Sequence, residues 1–219
     1  MKKLIIFGAG DIAQLAHFYF EDEGKYQIVA FCVDDSYRSQ NTFCELPLVG
    51  LSQLKTAYPP DKFDAFVALS YADMNHLRER KCAELKALGY YLVSYISPHC
   101  TCLTKEIGEN CFILEDNTIQ PFVKIGNNVT LWSGNHIGHH SIVGDNCFIT
   151  SHVVVSGGVK IEKNCFIGVN ATLRDHITLG EATLVGAGAL IVKSTPPKEV
   201  YRGTKSDPMS ISSNEIKKL

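Results

Sequence analysis

Counting from Ile107 in steps of six meets an aliphatic side chain fifteen times in succession, through Ile113, Ile119, Ile125, Leu131, Ile137, Val143, Ile149, Val155, Ile161, Ile167, Leu173, Leu179 and Val185 to Ile191. The position four residues after each is mostly small or modestly apolar, as at Cys111, Val123, Val129, Ser141, Cys147, Val153, Val159, Cys165, Ala171 and Ala189, and Gly often follows the aliphatic directly. A period of six excludes an α-helix. It marks short units that bury their apolar side only by stacking on their neighbours, which is a parallel β-helix. All fifteen aliphatics are expected in its core.

Composition narrows the function. The 219 residues carry a net charge of -2, with no basic footprint for nucleic acid. No apolar run approaches the ~20 residues of a membrane span. The opening "MKKLIIFGAG" reaches a glycine turn where a signal peptide continues apolar, so a cytoplasmic protein is expected. Of eight cysteines, Cys111, Cys147 and Cys165 fall on the inward small position, and no CxxC pair offers zinc spacing. They read as buried thiols. Cys100 and Cys102, close together near a proline, have no assigned role.

The first hundred residues follow another pattern, apolar runs of strand length alternating with helical patterns as in an α/β layered domain. "KLIIFGAG", "YQIVAFCVDD", "FDAFVALSY" and "YYLVSYISP" read as strands; "DIAQLAHFYFEDEG", "LSQLKTAY" and the basic amphipathic "MNHLRERKCAELKALG" read as helices. The expected division is an α/β domain over 1–98, with Pro98 at the junction, a β-helix over 99–203, and a tail over 204–219. "GAGDIA" partly matches the glycine-rich turn of dinucleotide-binding folds, so Gly8 and Gly10 are candidates to approach a phosphate. Asp34 and Asp35 end the next strand where a ribose-binding acid would sit. Asp35 is the first choice. The same residues also fit a tight turn without ligand, and with one βαβ half visible a mononucleotide fits better than NAD. Asp11 at the helix start would repel phosphate somewhat.

A Rossmann-like domain followed by these hexads resembles the bacterial sugar acetyltransferases with a left-handed β-helix, a family that includes sialic acid O-acetyltransferases and nucleotide-4-amino-sugar N-acetyltransferases. "GAGDIA", "VDD", "SYADMN" and "NHIGHHSIVGDNCFITSHVVVSGGVKIEKNCFIGVNATL" are most similar to the N-acetyltransferases acting on nucleotide-linked 4-amino-4,6-dideoxy sugars. The resemblance implies a triangular coil of three hexads. Eighteen residues per coil then stack Phe122, His140, Gly158 and His176 on one corner, beside Pro121, His139, Gly157 and Asp175. A second corner carries Asn128, Asn146, Asn164 and Ala182, expected as solvated turns, and a third Gly134, His152, Asn170 and Gly188.

By the same resemblance His139 is the catalytic histidine, and His140 stands where the family often has an acid. Acetyl-CoA is the implied co-substrate, running between subunits of a homotrimer past Gly157, Gly158, Val169, Asn170, Ala187, Gly188 and Lys193. Ser70 and Tyr71, with Gly8, Gly10, Asp34 and Asp35, would meet the nucleotide-linked amino sugar. An imidazole of ordinary pKa near ~6.5 suits removal of the ammonium proton at neutral pH. No covalent nucleophile and no metal are needed, and the product would enter surface-polysaccharide or glycan synthesis. Three rival readings differ in what they require: a γ-class carbonic anhydrase would need zinc on its histidines, a nucleotide-sugar sensor would not bind acetyl-CoA, and a sialic acid O-acetyltransferase would acylate a hydroxyl.

Overall fold

The computed structural model describes residues 2–208 and 210–215. The N-terminal part is a five-stranded mixed sheet. Strand β1 (Lys2–Phe7) lies between β2 (Tyr26–Val33) and β5 (Phe63–Val67), parallel to both. Beyond β2 come β4 (Leu46–Gly50), parallel, and β3 (Thr42–Phe43), which forms a hairpin with β4. The hairpin turns through Cys44 and Glu45, both at positive φ, and the sequence pattern gave no sign of it. Helices α1 (Asp11–Glu23), α2 (Leu51–Ala57) and α3 (His76–Ala87) match the expected segments. The third expected strand stops at Val67.

The segment expected as the last strand of this sheet behaves differently. Leu92 makes only a single bridge to Ala65; Tyr95–Ile96 (β6) then pairs with Phe112–Ile113 of the hexads. The coil therefore begins at Tyr95, inside the segment that ends at Pro98. Tyr95 lies on a seam shared by both parts, where its ring packs with Phe20 and Phe112.

From there two-residue rungs repeat every 18 residues, each paired in parallel with the rung one coil away, as Thr130 with Phe148 and His136 with Val154. The rungs make three faces. The first runs from Tyr95–Ile96 through Phe148–Ile149 to Val200–Tyr201, the second from Thr101–Cys102 to Leu190–Ile191, and the third from Lys124–Ile125 to Thr178–Leu179. Fourteen of the fifteen hexad aliphatics are buried, and Ile107 packs against their cluster. Cys111, Cys147 and Cys165 are buried too, their thiols donating to the Gly126, Glu162 and Gly180 carbonyls. Burial pushes the Cys147 thiol well up, so it stays a protonated core group.

The α/β part covers the first face as far as Phe166, together with the Glu115–Ser133 end of one bounding corner and the Asn110–Asn164 run of the other. Tyr71 rests on Phe148 and Phe166, and Tyr19 of α1 donates to Glu115, which also accepts from Ser133. The asparagine corner between the third and first faces is not solvated as the repeat alone indicates. Asn110, Asn128, Asn146 and Asn164 all have positive φ, which Asn tolerates best after Gly, yet all four are buried. Helix α3 closes over them.

Candidate active site

Three groups of candidate residues occupy three separate places. The first is a cleft of about 390 Å³ at the carboxyl ends of β1, β2 and β5, lined by Phe7, Gly8, Ala9, Val33, Asp34, Tyr37, Leu69, Leu77 and Lys81. Strand order reverses around β1 here, and such a crevice is where open α/β sheets hold ligands. Gly8 is required by the fold: its φ is +132°, and a Cβ would come within 2.5 Å of the Ala68 carbonyl oxygen. Gly10 is different. A Cβ there would meet nothing within 4 Å, so no protein contact demands a glycine at the start of α1.

Asp34 sits in the cleft and pairs with Lys81, whose other partner is Glu84 at 2.8 Å. Burial lowers the Lys81 pKa, but the hydrogen bonds to Asp34 and Glu84 outweigh it and leave the pKa raised. Asp35, the first choice on sequence, is engaged elsewhere. Its carboxylate accepts from the Ser52 hydroxyl at 2.7 Å and the Ser52 N–H at 3.1 Å, tying down the first turn of α2 and leaving its pKa below the ordinary value. Ser70 gives its carbonyl to Arg78, and Tyr71 lies half-exposed on the first face; neither lines the cleft.

The second place is the histidine corner, between the second and third faces. His139 and His140 are exposed, as corner positions require. Their Nδ1 atoms are 3.0 Å apart, so one proton is shared between two acceptors and the Nε2 of each ring is left outside that contact. His140, at φ +59°, is held by its ring lying 4.7 Å from that of Phe122. The His139 N–H donates to Gln120 Oε1 at 2.8 Å. Below the His139 ring lies Gly157, where a Cβ would meet Cε1 at 2.6 Å and Nε2 at 2.8 Å. Sequence reasoning found both histidines and put Phe122 on their corner without giving it a role, but it missed Gln120.

The third place is the corner between the first and second faces, with Val169, Asn170, Ala187 and Gly188, all exposed. Gly157, Gly158 and Lys193 belong to the histidine corner instead. The candidate coenzyme residues are therefore split between two edges of one prism, with the second face between them. Among the described residues no group of three His, Cys, Asp or Glu lies placed to hold a metal ion. No described helix is long and apolar enough to cross a membrane.

Comparison with known proteins agrees with this architecture. A model of the PglD N-terminal domain matches residues 3–85, the bacterial transferase hexapeptide model matches 104–138 and 123–157, and the hexapeptide repeat of succinyl-transferase matches 158–193. The acetyltransferase domain of PglB from Neisseria gonorrhoeae is 26% identical over 95% of this chain and 100% of its own, with a TM-score of 0.82. The same domain, solved in complex with acetyl coenzyme A, superposes over 95% of this chain and 99% of its own at a TM-score of 0.81, again at 26% identity. PerB from Caulobacter crescentus, solved with CoA and GDP-perosamine, shares the fold at 22% identity over 93% of this chain and 95% of its own, with a TM-score of 0.81. Fold and repeats thus define a hexapeptide-type acetyltransferase. Within that class, the chain belongs to the PglD-type sugar acetyltransferase family, marked by the PglD N-terminal domain followed by hexapeptide repeats.

Proposed function

We propose that this enzyme transfers the acetyl group of acetyl-CoA to the 4-amino group of a nucleotide-linked 4-amino-4,6-dideoxy sugar. The observation that carries the reading is the His139–His140 pair, with linked Nδ1 atoms and a free Nε2 above a residue without a side chain. In the transfer His139 Nε2 takes the ammonium proton, the freed amine nitrogen forms a bond to the thioester carbonyl carbon, and the second proton that this bond makes acidic on nitrogen leaves to solvent. A backbone N–H near Gly157 would meet the oxyanion. Collapse breaks the C–S bond, and the imidazolium returns its proton to the departing thiolate. His140, braced by Phe122, orients the His139 ring.

The placement of the groups supports a shared site in a homotrimer. The α/β part covers the first face as far as Phe166, whereas His139 lies on the one corner that does not bound that face. A sugar held in the cleft of one chain meets the body of its own prism before it meets His139. Two packed prisms, however, bring the cleft of one chain and the Val169–Gly188 corner toward the histidine corner of another. The coenzyme then runs in the groove between them.

The test is a panel of UDP-, dTDP- and GDP-linked 4-amino-4,6-dideoxy sugars assayed with acetyl-CoA. The expected product is an amide that survives alkaline hydroxylamine. A hydroxylamine-labile product would make the enzyme an O-acetyltransferase, and no transfer to any amino sugar would overturn the reading. Light scattering that finds a stable monomer at micromolar concentration would remove the shared site.

A further inference from the structure

One charged side chain has no role in the chemistry above and is costly to keep. Arg78 of α3 is 2% exposed and has no carboxylate partner among the described residues. Its Nε donates to Asn128 Oδ1 at 2.9 Å, its Nη1 to the Ser70 carbonyl at 3.2 Å, and its Nη2 to the carbonyls of Asn128, Asn146 and Cys147 at 3.1–3.3 Å. The guanidinium carbon stands 5.5 Å from the centre of the Phe148 ring. Burial pulls its pKa down to about 10, which still leaves it charged at neutral pH. Well-packed apolar residues in place of buried charges are often as stable or more so, so stability alone does not account for it. What a planar five-donor fork supplies is a fixed angle between the parts it grips.

Those parts are the cleft and the coil. Arg78 follows Leu77 and precedes Lys81 by three residues, both of which line the cleft, and its Ser70 contact holds the segment that carries Leu69, another lining residue. On the other side it spans two successive coils, at Asn128 and Asn146. Flanking contacts run the same way. Asn75 donates to the Cys165 carbonyl at 3.2 Å, and Asn164 donates to Glu79 Oε2 at 3.0 Å.

We propose that Arg78 is a positioning residue, which sets the angle of the nucleotide cleft on the prism and so delivers the tethered amine to the histidine corner across the subunit groove. The proposal rests on the function inferred above. An error of about 1 Å in the placement of a bound acceptor costs up to roughly 10²-fold in rate. Acceptors without a tether, in contrast, reach His139 by diffusion and do not depend on that angle.

The experiment compares the native full-length enzyme with Arg78→Lys and Arg78→Met on two acceptors, the nucleotide-linked amino sugar and the same amino sugar without nucleotide. Arg78→Lys and Arg78→Met are expected to lose roughly 10- to 100-fold in kcat on the linked sugar. The KM for acetyl-CoA, calorimetric affinity for the free nucleotide diphosphate and the slow rate on the untethered sugar should all stay within about 2-fold, well inside the single-methylene scale of discrimination. Should both Arg78 variants fail to fold, Asn128→Gly removes the Nε acceptor while keeping a backbone suited to positive φ, and the same split is expected at smaller size. Equal losses on both acceptors, or full activity on the linked sugar, overturn the proposal. A native enzyme that acetylates neither acceptor overturns the functional reading, and the positioning role falls with it.

Discussion

Two corners of the prism share one backbone and differ in everything outside it. At the histidine corner Phe122, His140 and His176 have φ between +55° and +66°; at the asparagine corner Asn128, Asn146 and Asn164 have φ between +57° and +62°. The repeat dictates this left-handed turn in both. At the first corner nothing among the described residues covers the turn, and the rings stand in solvent over Gly157 and Gly158. At the second, α3 lies across the turn and every exposed amide becomes a buried partner: Asn110 donates to Asn128 and Asn128 to Asn146, both to the side-chain oxygen. A coil thus offers equivalent turns, and docking of another element decides which becomes scaffold and which remains for chemistry.

If the corners are divided in this way, substitutions at one should alter rate without stability, and at the other stability without intrinsic rate. The largest effect is expected from His139→Ala, which should lower kcat by roughly 10²- to 10⁴-fold with acetyl-CoA affinity little changed. Raising the pH should restore part of the loss, because more of the amine arrives deprotonated; a variant of near-native kcat at neutral pH would make His139 a binding group only. Gly157→Ala comes next. Its methyl group would sit 2.6 Å from His139 Cε1 and displace the ring, so kcat should fall by about 10²-fold while the thermal midpoint barely moves. A fall in the thermal midpoint as large as that of the asparagine-corner variant would erase the distinction between the corners.

Asn128→Gly tests the other side. It removes the side-chain acceptor of a buried guanidinium and should cost about 1.5–3 kcal/mol in urea unfolding, while turnover of an untethered amine per folded enzyme stays native. The smallest effect belongs to Asp35, away from both corners. Its folded pKa lies below the ordinary 3.8, so its contribution to stability is complete above that value and is lost as pH falls through the folded value. Ser52→Ala should flatten the acid limb of the stability profile below about pH 4 without changing the KM for the nucleotide sugar. A raised KM would return Asp35 to the cleft.

The period of six made the coil and its core legible by counting, and the resemblance, by implying three hexads per coil, put the histidines on an exposed corner. Asn128, Asn146 and Asn164 were countable too, but Asn prefers positive φ whether wet or dry, so their identity carried no information about burial. That information lay in Arg78, within a helix whose sequence reads as basic and amphipathic, where one arginine looks like any other. The run of four asparagines from Asn110 to Asn164 was the available signal, since no other corner repeats one polar residue so long. Strand ends alone do not reveal which of Asp34 and Asp35 a neighbouring serine engages. The segment from Tyr90 to Pro98 has strand composition and forms a strand, but which sheet it joins is settled by Phe112 and Ile113, beyond its end.

That shared rung also bears on how the chain is made. Phe20, Phe66 and Tyr95 belong to one buried cluster with Phe112 and Leu114, and Trp132 packs against it. A ribosome that has delivered residues 1–98 has therefore released a layer whose aromatic face still lacks its cover. The face stays open until synthesis has passed the first full coil, and during that interval the nascent chain presents an apolar surface of the kind holding chaperones recognise. A chimera spliced at Pro98 would inherit the same open face permanently, so exchange of substrate domains between relatives has to carry the rung along with the domain.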